Sequence, residues 1–139
     1  MGIDCEMAQS ISQIYPVKLT LIDEQGLILL DTLVNPCAPI TQSCEQIHGI
    51  SMSWLSDAPT VNEVKAHILQ ICSGSNFVGH SVRHDLKALG IAVPYVDTTY
   101  FEDMEERRKD TPSLKGLAEK YLNVRIQTNI HSSVSFSFI

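Results

Sequence analysis

The chain has 139 residues, of which 44% are hydrophobic and 19% charged, and its net charge is −6. This composition is typical of a single globular domain and excludes a fibrous or wholly disordered chain. The acidic balance argues against a broad basic surface for nucleic acid, although carboxylates that hold metal ions would still allow contact with phosphates.

The first third of the chain predicts three strands. In MGIDCEM, the apolar residues Ile3, Cys5 and Met7 alternate with Asp4 and Glu6, which is the period of a strand. VKLTLID and LILLDTLV follow as apolar runs, and the turn sequence DEQG between them indicates a hairpin. An antiparallel meander therefore opens the fold.

The rest of the chain alternates predicted helices and strands. QSCEQIHG and SMSWL indicate short helical segments, and Thr60 and Glu63 form a capping box before an amphipathic helix. SNFVGH predicts a buried strand, SVRHDLKALG a helix closed by Gly90, and YVDTTYF another strand. Ser113 caps a last apolar helical stripe, which consists of Leu114, Leu117, Ala118, Tyr121 and Leu122. This order predicts an α/β domain with a mixed sheet, antiparallel first and parallel later, flanked by helices.

Asp4 and Glu6 are the first candidates for chemistry. Residues i and i+2 of a strand point to one face, so these carboxylates would lie about 7 Å apart. Two anions near an apolar sheet are unfavourable without a cation, and Mg²⁺ or Mn²⁺ prefers oxygen ligands. The alternative is the polar outer face of an edge strand, and the pair alone favours this alternative.

Further polar residues strengthen the case for metal-assisted hydrolysis. Asp85 follows the strand FVGH in the first turns of a helix, where α/β sheets tend to bind ligands, although acids are also common near helix N-termini. His80, Arg83 and His84 crowd the same junction. His131 can act as a general base toward water, with an ordinary loop histidine as the alternative.

Five segments in this order and spacing resemble the DEDDh 3′→5′ exonucleases, and within them the eukaryotic RNA exonuclease branch with DCEM in its first motif: GIDCEM, FVGHSVRHDLKAL, VDTTYF, SLKGLAEKYLNVRIQ and HSSV. The resemblance implies an RNase H-like fold, with an exonuclease domain over residues 1–134 and an atypical tail over residues 135–139. It also implies hydrolysis of phosphodiester bonds at single-stranded ends, of RNA rather than DNA, with release of nucleoside 5′-monophosphates.

The same resemblance assigns roles to residues. Two Mg²⁺ or Mn²⁺ ions would be held by Asp4, Glu6 and Asp85, with His131 as the base, and Met7 would contact the terminal nucleotide. Nucleic acid is the implied partner, and protein partners are left open. The other expected substrate contacts are basic side chains: His80, Arg83, Lys87 and, further along, Arg107 and Arg108.

Two positions depart from the family pattern. The family carries an acid five residues after the histidine, where this chain has Phe136, and Gln9 stands where glycine is common. The tail SFSFI is too short for a stable helix, so the predicted fold lacks its final helix. Two alternatives stay open: a truncated, catalytically impaired member that keeps metal or nucleic-acid binding, and a protein-interaction module.

The sequence also bears on location. No apolar run approaches the roughly 20 residues of a membrane span, and Asp4 and Glu6 lie where a secretory signal would be apolar. The four cysteines contain no CxxC pair and predict reduced thiols in an intracellular protein. The family resemblance implies residence in the nucleus or nucleolus.

Overall fold

A five-stranded mixed sheet forms the centre of the protein. The computed structural model describes residues 1–100 and 112–126. The spatial order is β3-β2-β1-β4-β5, with β1, β2 and β3 antiparallel and with β4 and β5 parallel to β1. This confirms the predicted meander followed by parallel strands. The strands are β1 Gly2–Gln9, β2 Ile14–Ile22, β3 Ile28–Leu33, β4 Phe77–Gly79 and β5 Tyr95–Asp97.

The position of β1 settles one alternative. It is the third of five strands and pairs with a neighbour on each side. The interpretation of Asp4 and Glu6 as the polar face of an edge strand is therefore wrong, because their strand is central. The strands β2 and β4, which flank β1, also bring other polar side chains close to Asp4 and Glu6.

The helices begin and end at the predicted caps. Thr60 and Glu63 form the capping box, in which the Thr60 N–H donates to the Glu63 carboxylate at 2.7 Å. Gly90 ends its helix in the left-handed conformation, with φ of 63°. The helices are α1 Glu45–His48, α2 Val61–Ile71, α3 Arg83–Leu89 and α4 Leu114–Leu117, with a π-helical turn at Ala118–Leu122 and 3₁₀ turns at Met52–Leu55 and Thr98–Tyr100.

The last helical stripe differs from its prediction. Leu117 and Ala118 are buried, whereas Tyr121 and Leu122 are exposed. The π-helical turn accounts for this difference, because its wider winding shifts the side chains that follow out of the buried stripe. The predicted absence of a final helix concerns residues outside the described ranges.

The main core lies between the sheet and helices α2 and α3. Ile3 and Cys5 of β1 pack there with residues of β2 and of both helices, and Phe77 is the largest fully buried side chain. A smaller cluster joins Ala8 and Val17 to the 3₁₀ turn that contains Leu55. Within residues 1–100 and 112–126, no helix combines the length and apolarity needed to cross a membrane.

Candidate metal and active site

The junction between β4 and α3 places Asp85 beside β1. Gly79 ends β4, and a Cβ atom there would lie 2.9 Å from Val82 Cβ and 3.0 Å from the Ile3 carbonyl oxygen, so only glycine fits. Helix α3 begins at Arg83, which puts Asp85 in its first turn, where it is buried. The tight junction therefore directs an acid toward the middle of the sheet.

A backbone hydrogen bond fixes where the Asp85 carboxylate lies. Strand β4 is short, and the register of β1 with β4 includes only Gly2 opposite Val78. The Cys5 N–H lies further along β1 and donates to Asp85 Oδ1 at 3.1 Å. Cys5 lies between Asp4 and Glu6, so the structure brings the helix acid to the acid pair of the strand.

The electrostatics of these acids are unfavourable without a cation. Burial, followed by the charges of Asp85 and Glu6, raises the pKa of Asp4 to about 8. Burial also raises the pKa of Asp85 to about 7, against hydrogen bonding from Cys5. The pKa of the Cys5 thiol lies well above its usual value because of burial and the neighbouring carboxylates. A divalent cation would relieve both the burial cost and the repulsion.

The donor chemistry fits Mg²⁺ or Mn²⁺, because Asp4, Glu6 and Asp85 offer only carboxylate oxygens. Over residues 1–100 and 112–126, no three His, Cys, Asp or Glu side chains are arranged as a complete ligand set. The proposed base His131 lies outside the described residues. The ligand assignment therefore stays a prediction that the burial and charge of these acids favour.

The polar face of β1 continues across β2 and β3. Asp4 lies opposite Thr20 and Glu6 lies opposite Lys18 in the register of β1 with β2. Asp31 of β3 ties this row together, accepting from Thr20 Oγ1 at 2.8 Å and lying 3.2 Å from Lys18 Nζ. Cross-strand partners share a face, so a lysine lies beside the acid pair. In the sequence, the alternation of Lys18 and Thr20 with apolar residues in VKLTLID indicates that both side chains lie on one face of their strand. Only the register of β1 with β2 shows that this face is the one that carries Asp4 and Glu6.

Asp97 is a functional candidate that the sequence did not indicate. It ends β5 within the segment VDTTYF and is buried, with 9% of its surface exposed. Its Oδ1 accepts from the Ser81 N–H at 2.8 Å, the Thr99 N–H at 3.0 Å and Thr99 Oγ1 at 2.7 Å. Burial alone would raise its pKa, but the hydrogen bonds from Thr99 and Ser81 outweigh burial and lower it. An Asp followed by threonine at a strand end is the type of sequence that could have revealed this site.

The predicted substrate residues fall on two grooves beside α3. Met7 and Lys87 line a groove of about 540 Å³ together with His84, which the sequence places at the junction of β4 and α3. Arg83 and Lys87 line a shallower groove of about 510 Å³ with Tyr95. Among the described residues that line either groove, none is acidic, although the chain as a whole carries a net charge of −6.

His80 points away from these grooves. Its Nδ1 lies 3.0 Å from Thr98 Oγ1, and the ring also forms a hydrogen bond with the Pro112 backbone. Burial lowers its pKa, against the opposing charge of Asp97. The His80 side chain thus forms hydrogen bonds within the protein, beside the turn after β4. The predicted contact between His80 and substrate stays a prediction. Arg107 and Arg108 lie outside the described ranges.

Known protein sequences align with almost the whole chain. The sequence model of the RNase T family, described as an exonuclease, matches residues 2–135. RNA exonuclease 4 of Cryptococcus neoformans is 33% identical over 141 residues, which cover 96% of this chain and 35% of that protein. RNA exonuclease 1 of Saccharomyces cerevisiae is 32% identical over 137 residues, which cover 96% of this chain and 25% of that protein. The chain thus spans about a third or less of these relatives.

Solved structures share the fold. The Pan2 catalytic unit of Neurospora crassa superimposes with a TM-score of 0.82 at 20% identity, over 97% of this chain and 24% of that chain. The Saccharomyces cerevisiae Pan2 pseudoubiquitin hydrolase–RNA exonuclease module in complex with A7 RNA gives a TM-score of 0.78 at 25% identity, over 98% of this chain and 27% of that chain. These similarities confirm the predicted RNase H-like fold and the resemblance to RNA exonucleases.

Proposed function

Because the chain belongs to the RNase T exonuclease family, we propose that it is a 3′→5′ exonuclease domain acting on single-stranded RNA ends. It hydrolyses the terminal phosphodiester bond and releases nucleoside 5′-monophosphates. The observation that carries this proposal is the hydrogen bond from the Cys5 N–H to Asp85, which brings an acid of α3 to the Asp4 and Glu6 pair in a buried region.

The chain's own residues divide the work. Asp4, Glu6 and Asp85 would hold Mg²⁺ or Mn²⁺, which when bound would supply activation of water and stabilisation of charge on the scissile phosphate. His131 accepts the proton of the attacking water, a role that suits a side chain with a pKa near neutrality. Lys18, kept beside Glu6 by Asp31, limits the repulsion among the acids before metal binds.

The surface around α3 supports nucleic acid as the ligand. Arg83 and Lys87 are exposed on this helix, and the described residues that line its two grooves include no acid. Each phosphate contact made by such a cation contributes about 0.7 to the salt slope of single-strand binding. Arg83→Gln and Lys87→Gln should each weaken RNA binding and reduce this slope, whereas Lys115→Gln, on the exposed surface of α4, should not.

The decisive experiment is a release assay on a 5′-labelled single-stranded RNA with Mn²⁺ or Mg²⁺. The wild-type chain should shorten the RNA from its 3′ end, and EDTA should stop the reaction. His131→Ala should lower turnover by about 10² or more, as removal of a general base does. His67→Ala, at an exposed position of α2, is the matched control and should leave turnover unchanged. Equal turnover in both variants would remove His131 from the mechanism.

A second candidate function is metal and RNA binding without efficient turnover. It is favoured by Phe136, an apolar ring at the position of the family's fourth acid. Replacing residues 135–139 with a Glu-Asp-Ala start and an amphipathic helix of about 15 residues should supply both an acid and its support. If this candidate is correct, the repaired chain cleaves RNA at least about tenfold faster than the chain with Phe136. A chain with Phe136 that already cleaves RNA as fast as an active repaired chain would exclude it.

A further inference from the structure

We propose that Asp97 is a positioning residue, which together with Thr98 fixes the turn between β4 and α3 and thereby holds the Asp85 carboxylate at β1. The proposal rests on the proposed function, in which Asp85 is a metal ligand. Asp97 itself is not among the residues that line the two grooves beside α3. The segment VDTTYF thereby acquires a role that neither its composition nor its position in the sequence indicated.

Three contacts join the end of β5 to consecutive residues of the turn. Thr98 Oγ1 lies 3.3 Å from the Gly79 carbonyl oxygen, to which it donates, and 3.0 Å from His80 Nδ1. Asp97 Oδ1 accepts from the Ser81 N–H at 2.8 Å. All three residues of the turn, from the last of β4 onward, are thus held by Asp97 at the end of β5 and by Thr98 directly after it.

The backbone of Ser81 explains why the turn requires such support. Its φ is 56°, a left-handed conformation that is unfavourable for residues other than glycine. The Ser81 carbonyl accepts from the His84 N–H at 2.9 Å, so this residue also begins the chain's entry into α3. Without the Asp97 acceptor, Ser81 would relax toward a negative φ, and the helix that follows would rotate.

Asp97 is itself held in a single orientation. The N–H and the Oγ1 of Thr99 both donate to the oxygen that accepts from Ser81. A rotation of α3 would change the position of Asp85, whose carboxylate accepts from the Cys5 N–H. The chain of contacts therefore runs from Thr99 through Asp97 and Ser81 to Asp85 and ends on β1.

Amide hydrogen exchange at Cys5, measured by NMR without metal, tests this chain of contacts. Asp97→Ala should speed exchange of the Cys5 N–H by about fivefold or more through local opening. Asp85→Ala removes the acceptor of this N–H altogether, so its exchange rate gives the upper limit of the effect. The Leu19 N–H, within the ladder of β2, is the internal control and should exchange as in the wild type. Thr99→Val should speed exchange of the Cys5 N–H by a smaller factor. This variant replaces Asp97→Ala in the experiment if Asp97→Ala does not fold.

Two outcomes overturn the proposal: unchanged Cys5 exchange in both Asp97→Ala and Thr99→Val, or equal acceleration at Cys5 and Leu19, which would indicate only global destabilisation. Asp97→Asn retains an acceptor oxygen and should restore most of the protection at Cys5. A rescue that fails, with Cys5 as fast as in Asp97→Ala, would show that the charge rather than the hydrogen bond acts, and would contradict the geometry above.

Mn²⁺ binding provides the second readout. Asp97→Ala should lower Mn²⁺ affinity by about tenfold, in the range seen for residues that orient metal ligands. Leu55→Val, which destabilises the smaller core cluster, should leave the affinity unchanged. Unchanged affinity in Asp97→Ala would overturn the positioning role. A wild-type chain that binds no Mn²⁺ would contradict the proposed function, and Cys5 exchange would still decide the role of Asp97.

Discussion

Asp97, on one side, and the acids Asp4 and Asp85, on the other, differ in how the protein stabilises their charge. Asp97 accepts three hydrogen bonds on one oxygen, and its pKa is lowered. Asp85 is also buried and Asp4 is half-buried, and burial raises the pKa values of Asp4 and Asp85 to about 8 and about 7. The protein itself therefore stabilises the ionised form of Asp97 and does not do so for the other two.

The difference separates an acid whose charge is stabilised by hydrogen bonds from the acids that we propose to be metal ligands. Three donors around one carboxylate stabilise its charge permanently and leave little reason for a cation to bind. Asp4 instead lies near Asp85 and Glu6, whose charges raise its pKa further. A site of this kind is stable only when it is protonated or when a cation binds, and a hydrolase that uses metal ions requires the second state.

The largest expected effect comes from removing the satisfied acid. Asp97→Ala leaves the buried N–H groups of Ser81 and Thr99 without their acceptor, so the free energy of unfolding should fall by about 2–4 kcal/mol. Urea denaturation measures the change. Asp57→Ala, in an exposed turn, is the matched control and should change stability by less than about 0.5 kcal/mol. Similar losses in both variants would mean that the hydrogen bonds of Asp97 contribute nothing.

Mn²⁺ should stabilise the folded chain through Asp4 and the acids near it. At 100 times its Kd, Mn²⁺ should raise the free energy of unfolding by about 2.7 kcal/mol, because it binds only the folded chain. Asp4→Asn should remove most of this increase, whereas Asp57→Asn should retain it. Thermal unfolding with and without Mn²⁺ gives the comparison. An equal increase in Asp4→Asn and the wild type would count against the shared site.

The pH dependence of stability should show both regions in one metal-free titration. The raised pKa values of Asp4 and Asp85 mean that the folded chain keeps protons that the unfolded chain releases, so stability falls as pH rises from about 4 to about 8. Asp97 has a lowered pKa, so its contribution is present above about pH 4 and is lost as pH falls further.

Single variants show which acid causes the pH dependence of stability above and below about pH 4. Asp4→Asn should flatten the fall between about pH 4 and pH 8, and Asp97→Asn should flatten only the acidic side. Urea midpoints between pH 3 and pH 9 measure both slopes. If Asp4→Asn leaves the slope above pH 4 unchanged, the burial and repulsion of these acids do not govern the stability of the metal-free chain.

The smallest effect concerns the strained turn. Ser81→Gly accommodates the positive φ without cost, so the turn should depend less on its acceptor. Asp97→Ala, which removes the acceptor, should therefore cost about 0.5–1 kcal/mol less in the Ser81→Gly background than in the wild type. A double-mutant cycle in urea measures this coupling. A coupling of zero would mean that Asp97 and the conformation of Ser81 are independent.

Much of the fold follows from local patterns. The alternation in MGIDCEM, the turn DEQG and the capping box of Thr60 and Glu63 each predict an element that the structure contains. These signals work because they involve residues a few positions apart, whose geometry is fixed by the period of a strand or the open donors of a helix end. The π-helical turn at Ala118–Leu122 escaped prediction because its apolar stripe is the same as that of an α-helix.

The sequence by itself determined the order of the elements, the two acids on one strand and the family to which they belong. Only the tertiary structure decided that β1 is central, that Asp85 reaches the Cys5 N–H across 80 positions, and that Asp97 holds Ser81 across 16. The physical reason is that buried donors and charges are satisfied by whichever groups strand order and register bring near, and no local pattern specifies those groups.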